Sequence, residues 1–282
     1  MGHGGRVLTR SRILELLAEH GLRPSRALGQ NFVADPNTVR RIARLADVGP
    51  GDRVVEIGAG LGSLTLALAE TGASVTAVEV DRHLVPVLRA VVRGAGNVEV
   101  VEGDARSLDW PAVLAGADRW VLVANLPYNV ATPLVVELLE GAPAIERMLV
   151  MVQREVGERL AAHVGDGAYG AVSVKVAYWA SASVVGRVPP TVFVPQPRVE
   201  SALVRIDRHA PPELGVSYDE LFALVRAGFG QRRKMLRRAL AGRVPPPCFE
   251  EAGVRPEARA EELDLLAWGR LARCASSTPR PS

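Results

Sequence analysis

Arg53-Val54-Val55-Glu56-Ile57-Gly58-Ala59-Gly60-Leu61-Gly62-Ser63-Leu64-Thr65 joins a β-branched run to a glycine-rich turn and then to a segment with helical spacing. A strand that ends in such a turn and passes straight into a helix opens an α/β unit. The alternation continues outward. Strands are expected at 74–80, 98–104, 119–126 and 147–153, and helices at 63–71, 81–93 (despite Pro86) and 132–140, the last with a Thr132 N-cap and Pro133 next. Continuous apolar strands separated by helices imply a parallel sheet covered on both faces, with ligands at the carboxyl ends of the strands. Residues 183–190 and 201–208 read as antiparallel finishing strands. From Tyr218 onward only helices are expected, the first over 221–242.

The turn itself is ExGxGxG. A dinucleotide fingerprint GxGxxG would need its third glycine at position 63, where Ser63 stands. Glu79 ends the second strand, seventeen residues past Gly62, placed to accept hydrogen bonds from two ribose hydroxyls. Asp104, inside Gly103-Asp104-Ala105, ends the third, where a carboxylate can accept from an adenine amine. Together these features describe an S-adenosylmethionine site better than a nicotinamide site. The plain alternative is a tight structural turn with two capping carboxylates.

The fourth strand runs into Asn125-Leu126-Pro127-Tyr128-Asn129. An adenine N6 is a poor nucleophile because its lone pair is delocalised into the ring. The Asn125 amide oxygen and the Leu126 carbonyl can accept its two hydrogens and localise that pair toward a methyl group. Pro127 fixes the turn, and Tyr128 offers a ring on which an extruded base can stack. No general base is required during transfer, because the methylated nitrogen is acidic and loses its proton afterwards. Taken alone, the tetrapeptide is equally an Asn-capped proline turn.

Charge is segregated. The chain has 282 residues with net charge +3, but residues 1–45 carry +5, 46–120 carry −5, 121–220 carry −3 and 221–282 carry +6. Such asymmetry raises the expectation of a polyanionic partner. Gly230-Gln231-Arg232-Arg233-Lys234-Met235-Leu236-Arg237-Arg238 places five bases within seven residues. Read as one helix, this is a cationic ridge for phosphates, with a solubilising face as its plain alternative. No apolar run approaches the ~20 residues of a membrane span, and no secretory signal is expected in residues 1–12. Cys248 and Cys274 are far from CxxC spacing and the five histidines are scattered. Neither a disulfide nor a metal site is expected, and a reducing cytoplasm fits.

The sequence resembles the ribosomal RNA adenine dimethyltransferase family over nearly its whole length. Leu28-Gly29-Gln30-Asn31-Phe32-Val33 looks like the family's N-terminal GQNF segment; VEIGAGLGSLT (55–65), AVEVD (77–81), EGDA (102–105), NLPYN (125–129) and MVQREVGERL (151–160) follow in family order. The resemblance implies donor contacts at Asn31, Val33, Gly58, Gly60, Glu79, Asp104 and Asn125, and a second aromatic, Phe193, facing Tyr128 across the target base. The plain reading of Phe193 is a core residue in a proline-bounded loop. Leu126 in NLPY, DGAYG (166–170), VFVPQPRVESAL (192–203), FGQRRK (229–234) and RPEARAEEL (255–263) look like the housekeeping subclass, which dimethylates two adjacent adenosines near the 3′ end of small-subunit rRNA. The other subclass modifies a large-subunit adenosine, confers macrolide resistance and more often has NIPY. Ala59, Met235 and Glu200 depart from the usual proline, hydroxyl residue and aspartate.

The expected molecule is therefore a Rossmann-like S-adenosylmethionine-dependent methyltransferase sheet with a small all-helical C-terminal domain. Residues 1–22 form a lead of open role, 23–212 the catalytic domain, 213–275 the helical RNA-binding domain (Arg232, Arg233, Lys234, Arg237, Arg238), and 276–282 a disordered tail. Its partner is small-subunit rRNA in a pre-ribosomal subunit; no metal, no membrane and a monomeric state are expected. A non-catalytic RNA-binding assembly factor and a small-molecule methyltransferase are the competing classes.

Overall fold

A computed structural model describes residues 7–25, 28–127 and 130–277. In chain order its elements are α1 (Arg10–Glu19), β1 (Phe32–Val33), α2 (Pro36–Ala46), β2 (Arg53–Ile57), α3 (Ser63–Ala69), β3 (Ser74–Glu79), α4 (Val85–Val92), β4 (Val98–Glu102), α5 (Trp110–Val113), β5 (Trp120–Asn125), α6 (Ala131–Gly141), β6 (Ile145–Gln153), α7 (Arg154–Leu160), α8 (Ala171–Trp179), β7 (Ala180–Val188), β8 (Phe193–Val194), β9 (Ser201–Arg208), α9 (Tyr218–Gly230), α10 (Leu236–Ala239), α11 (Pro247–Glu251) and α12 (Leu265–Ser277).

Seven strands form one sheet in the order β4-β3-β2-β5-β6-β9-β7. β4, β3, β2, β5 and β6 pair parallel, and β9 runs antiparallel to β6. The expected strands are all present. Val54, Val55, Leu122, Val123 and Val150 are buried, as strands covered on both faces require. The strand order reverses between β2 and β5, which opens a crevice at their carboxyl ends. A separate two-stranded ribbon pairs β1 with β8 antiparallel, Phe32 opposite Val194 and Val33 opposite Phe193.

Several boundaries differ from expectation. α4 starts at Val85, so Pro86 falls in the first turn, where its missing N–H costs nothing. α6 is capped at Val130 and not at Thr132. The described part of the lead, from residue 7, is folded: Thr9 accepts from the Arg12 amide to cap α1, and Ile13, Leu16 and Leu17 join one core with Phe32, Val39 and Ile42. The helix expected over 221–242 is broken. α9 ends at Gly230, residues 231–235 form a turn, and α10 is only four residues long. The amides of Leu236 and Arg237 donate to the carbonyls of Ala258 (2.7 Å) and Pro256 (3.0 Å), partners that a continuous helix would not use.

The chain divides into two compact units, Met1–Gly157 with Ser183–Arg208, and Glu158–Ala182 with His209–Ser282. The second is helical and takes in α8, which was expected in the catalytic domain. Tyr169 and Val174 are buried among Phe222, Val225, Trp268 and Leu271, and the Tyr169 hydroxyl donates to the Leu263 carbonyl at 2.9 Å. α12 continues to Ser277, into the expected tail. The expectation of no disulfide is corrected: Cys248 and Cys274 form one, because α11 and α12 bring their Cα atoms to 5.5 Å.

Candidate functional site

The turn after β2 needs its glycines. Gly58, Gly60 and Gly62 have φ of +76°, +59° and +90°, a region that side chains disfavour. A Cβ at Gly60 would lie 3.0 Å from the Phe32 ring, and one at Gly62 would lie 3.0 Å from Leu88. The Gly58 and Ala59 amides both donate to the Val78 carbonyl. The turn is thus fastened to β3, while Phe32 lies over it.

Glu79 completes that fastening. It is 4% exposed, and its two carboxylate oxygens accept from the Gly60 amide at 2.7 Å and the Asp81 amide at 2.9 Å. Burial pushes its pKa up, and the two backbone donors pull it back. Each oxygen keeps a lone pair for a further donor. Asp104 is exposed and accepts from the Arg106 amide at 3.0 Å.

Glu56 was quoted in the turn motif but not singled out as a site residue. It is 2% exposed, and its Oε2 has no hydrogen-bond partner. Burial raises its pKa to about 8, opposed by the Thr65 hydroxyl and reinforced by the charge of Glu79. An orphaned buried carboxyl oxygen at a strand end indicates a site made for a polar or cationic ligand. The available signal is an acid between the apolar residues Val55 and Ile57 of the strand.

Two cavities meet here. One, of about 90 Å³, is lined by Asn31, Val33, Glu56, Gly60, Glu79 and Asn125 among others. The second, of about 240 Å³, is lined by Ile57, Val78, Gly103, Asp104, Ala105 and Leu134 among others. Each alone is below the ~300 Å³ at which small-molecule sites begin. They share Leu28, Gly58, Val80 and Pro127, and so form one cleft. Asn31, Val33, Gly58, Gly60, Glu79, Asp104 and Asn125 all line it.

Asn125 ends β5, and its Nδ2 donates to the Asn31 carbonyl at 3.0 Å. That bond fixes the amide's orientation, with Oδ1 as the remaining acceptor. Leu126 is buried and donates its amide to the Met151 carbonyl, while the Pro127 carbonyl accepts from Val130 and Ala131 to lead into α6. A Cβ at Gly29 would lie 2.9 Å from the Pro127 Cβ, so the GQNF segment passes directly over this loop. Gln30 bridges the Ser25 amide and the Asp81 carboxylate. Tyr128 and Asn129 lie outside the described residues.

Phe193 does not line the cleft. It is 1% exposed in the core that also holds Phe32 and α1's apolar residues, so its ring presents no stacking face in this arrangement.

In the helical unit the five cations are exposed but unequal. Arg232 pairs with Glu261 at 2.6 Å and donates to the Gly167 carbonyl, and Arg237 pairs with Glu257 at 3.6 Å. Among the described residues, Arg233, Lys234 and Arg238 have no acidic partner.

The model of the family "Ribosomal RNA adenine dimethylase" matches residues 22–275. A ribosomal RNA small subunit methyltransferase A of Kineococcus radiotolerans is 48% identical over 94% of this chain and 91% of its own length. Its namesake in Magnetococcus marinus is 43% identical over 100% of both chains. Among solved structures, a dimethyladenosine transferase from Plasmodium falciparum matches with TM-score 0.70 and 27% identity, covering 84% of this chain and 94% of that one. The 23S rRNA methyltransferase ErmE matches with TM-score 0.68 and 26% identity, covering 87% and 100%. Structural likeness therefore does not separate the two subclasses; sequence identity does. The chain belongs to the ribosomal RNA adenine dimethylase family.

Proposed function

We propose that this family member transfers methyl groups from S-adenosyl-L-methionine to N6 of two adjacent adenosines in a hairpin near the 3′ end of small-subunit rRNA, giving N6,N6-dimethyladenosine during ribosome maturation. The observation that carries the proposal is the placing of an oriented amide, Asn125, at the mouth of a cleft whose other walls are Glu79, Asp104 and three positive-φ glycines.

The cleft fits the donor on its own chemistry. Glu79 has acceptor capacity left for ribose hydroxyls, Asp104 for an adenine amine, and Glu56, which lines the same cleft with an unpartnered oxygen, could receive a polar group of the donor. When bound, the donor supplies an electrophilic methyl group. The chain's part is then positioning. Asn125 Oδ1 and the Leu126 carbonyl accept the two N6 hydrogens, which localises the lone pair. Tyr128 supplies a stacking surface for the extruded base, and Phe193 would join it only after leaving its core position. Most of the acceleration comes from pre-set geometry and electrostatics. The exposed cations Arg233, Lys234 and Arg238, with Arg232 and Arg237 behind them, attract the RNA backbone. The enzyme acts as a cytoplasmic monomer on a pre-ribosomal subunit. No helix among the described residues is long and apolar enough to cross a membrane.

The large-subunit resistance activity is the second reading, supported only by the similar fold match to ErmE. Nucleoside analysis of both subunits from a strain lacking this gene separates them. Loss of dimethyladenosine from the small subunit is expected; its persistence there, or loss from the large subunit, overturns the proposal.

A further inference from the structure

We infer that Arg10, on the N-terminal helix, is a positioning residue for the donor cleft, acting through the β1–β8 ribbon. This rests on the donor assignment above and extends it to a part of the chain that no motif reaches. The Arg10 Nη2 donates to the Thr191 carbonyl at 2.6 Å and to the Phe193 carbonyl at 3.1 Å, across more than 180 residues of sequence. Those carbonyls belong to the segment that enters and forms β8. β8 pairs with β1 through only two residues a side, extended by the Ala34 amide donating to the Val192 carbonyl at 2.7 Å. A two-stranded ribbon this short is marginal without support.

β1 continues directly into the cleft wall. Val33 and Phe32 line it, Phe32 covers Gly60, and the Asn31 carbonyl holds the Asn125 amide. Residues 28–33 thus supply one whole side of the donor site, and the side away from the sheet is fastened by the ribbon. The Arg10 guanidinium ties the turn before the outer strand, through the Thr191 carbonyl, to the strand's first residue, through the Phe193 carbonyl. α1 does not need Arg10 in order to fold. Ile13, Leu16 and Leu17 anchor the helix, and Thr9 caps it. Loss of the guanidinium therefore loosens the ribbon while α1 stays docked. The expected consequence is a mobile 28–33 segment that must be ordered when the donor binds, and hence weaker donor binding with chemistry preserved once the site is full.

The test uses the full chain as wild type, Arg10→Ala, Arg10→Lys and Arg12→Ala. Arg12 lies on the same helix, but its guanidinium pairs with Glu15 and Glu19. Calorimetry with S-adenosylhomocysteine should show Arg10→Ala binding about three- to tenfold more weakly, the range for one ordinary intramolecular hydrogen bond, because the guanidinium acts on the site only through the ribbon. Arg10→Lys should recover part of the loss, and Arg12→Ala should match wild type. In steady state, Arg10→Ala should raise the KM for donor with kcat near wild type. Amide exchange should quicken at Ala34 but not in β2 or β5. Unchanged affinity in Arg10→Ala, or an equal loss in Arg12→Ala, overturns the inference. Wild-type protein that fails to bind S-adenosylhomocysteine would instead overturn the donor assignment.

Discussion

The proposed donor cleft and the cationic turn of the helical unit present charged groups in opposite ways. In the cleft, the acids Glu56 and Glu79 are withdrawn from water and held by backbone donors or left with an open acceptor. In the turn and the start of α10, Arg233 and Lys234 stay in water, and Arg232 and Arg237 are paired with Glu261 and Glu257. Desolvated groups act through fixed geometry, so one substitution removes a large effect. Solvated charges act additively and yield to salt. The division explains how a chain of net charge +3 can hold buried acids in its catalytic cleft and still attract RNA.

This contrast can be broken, most severely at Asn125. Asn125→Ala should lower methyl transfer at saturating donor by about 100- to 1,000-fold, the usual loss for one pre-set hydrogen-bonding group, while RNA binding persists. Single-turnover rates at saturating donor read this directly. Transfer at the wild-type rate would remove the amide from the mechanism.

The next effect is on stability. Glu56 has its folded pKa raised from 4.5 to about 8, so it favours the protonated folded state. Its contribution is fully present below pH 4.5 and is lost as pH rises toward 8. Glu56→Gln should therefore gain on wild type by on the order of a few kcal/mol across that window, with no further gain above it. Paired melting curves over pH, without donor, check this; parallel curves would mean the carboxyl is better solvated than its burial implies.

A smaller effect belongs to the turn. Arg233→Glu with Lys234→Glu should weaken RNA binding by about tenfold and flatten the salt dependence by about two phosphate contacts, leaving donor affinity unchanged. Arg232→Ala should do less, because its charge is already paired with Glu261. Equal effects from the two changes would show that the ion pair opens when RNA binds.

The sheet and the cleft were legible in sequence because each of their signals is local. A β-branched run, a glycine turn and an acid at the next strand end are fixed by spacing alone, and Glu79 and Asp104 fall where that spacing puts them. What was illegible depends on distant partners. α1 is a short amphipathic helix whose purpose appears only when Arg10 meets the carbonyls of Thr191 and Phe193. The break after Gly230 is made by carbonyls of Pro256 and Ala258, not by any helix breaker within the cationic run. Cys248 and Cys274 share no local pattern, being 26 residues apart, and meet because two helices pack. Phe193 sits in a proline-bounded loop by sequence, and its ring is taken up by the core that also holds the apolar residues of α1.

The central claim is that one cleft and one amide place two methyl groups on each of two neighbouring small-subunit adenosines. Transfer of tritiated methyl from labelled S-adenosylmethionine to isolated, undermethylated small subunits, followed by nucleoside analysis, tests it most directly. The account predicts label in N6,N6-dimethyladenosine, reaching two doubly methylated residues per subunit. Label confined to large subunits, or none in dimethyladenosine, would contradict it.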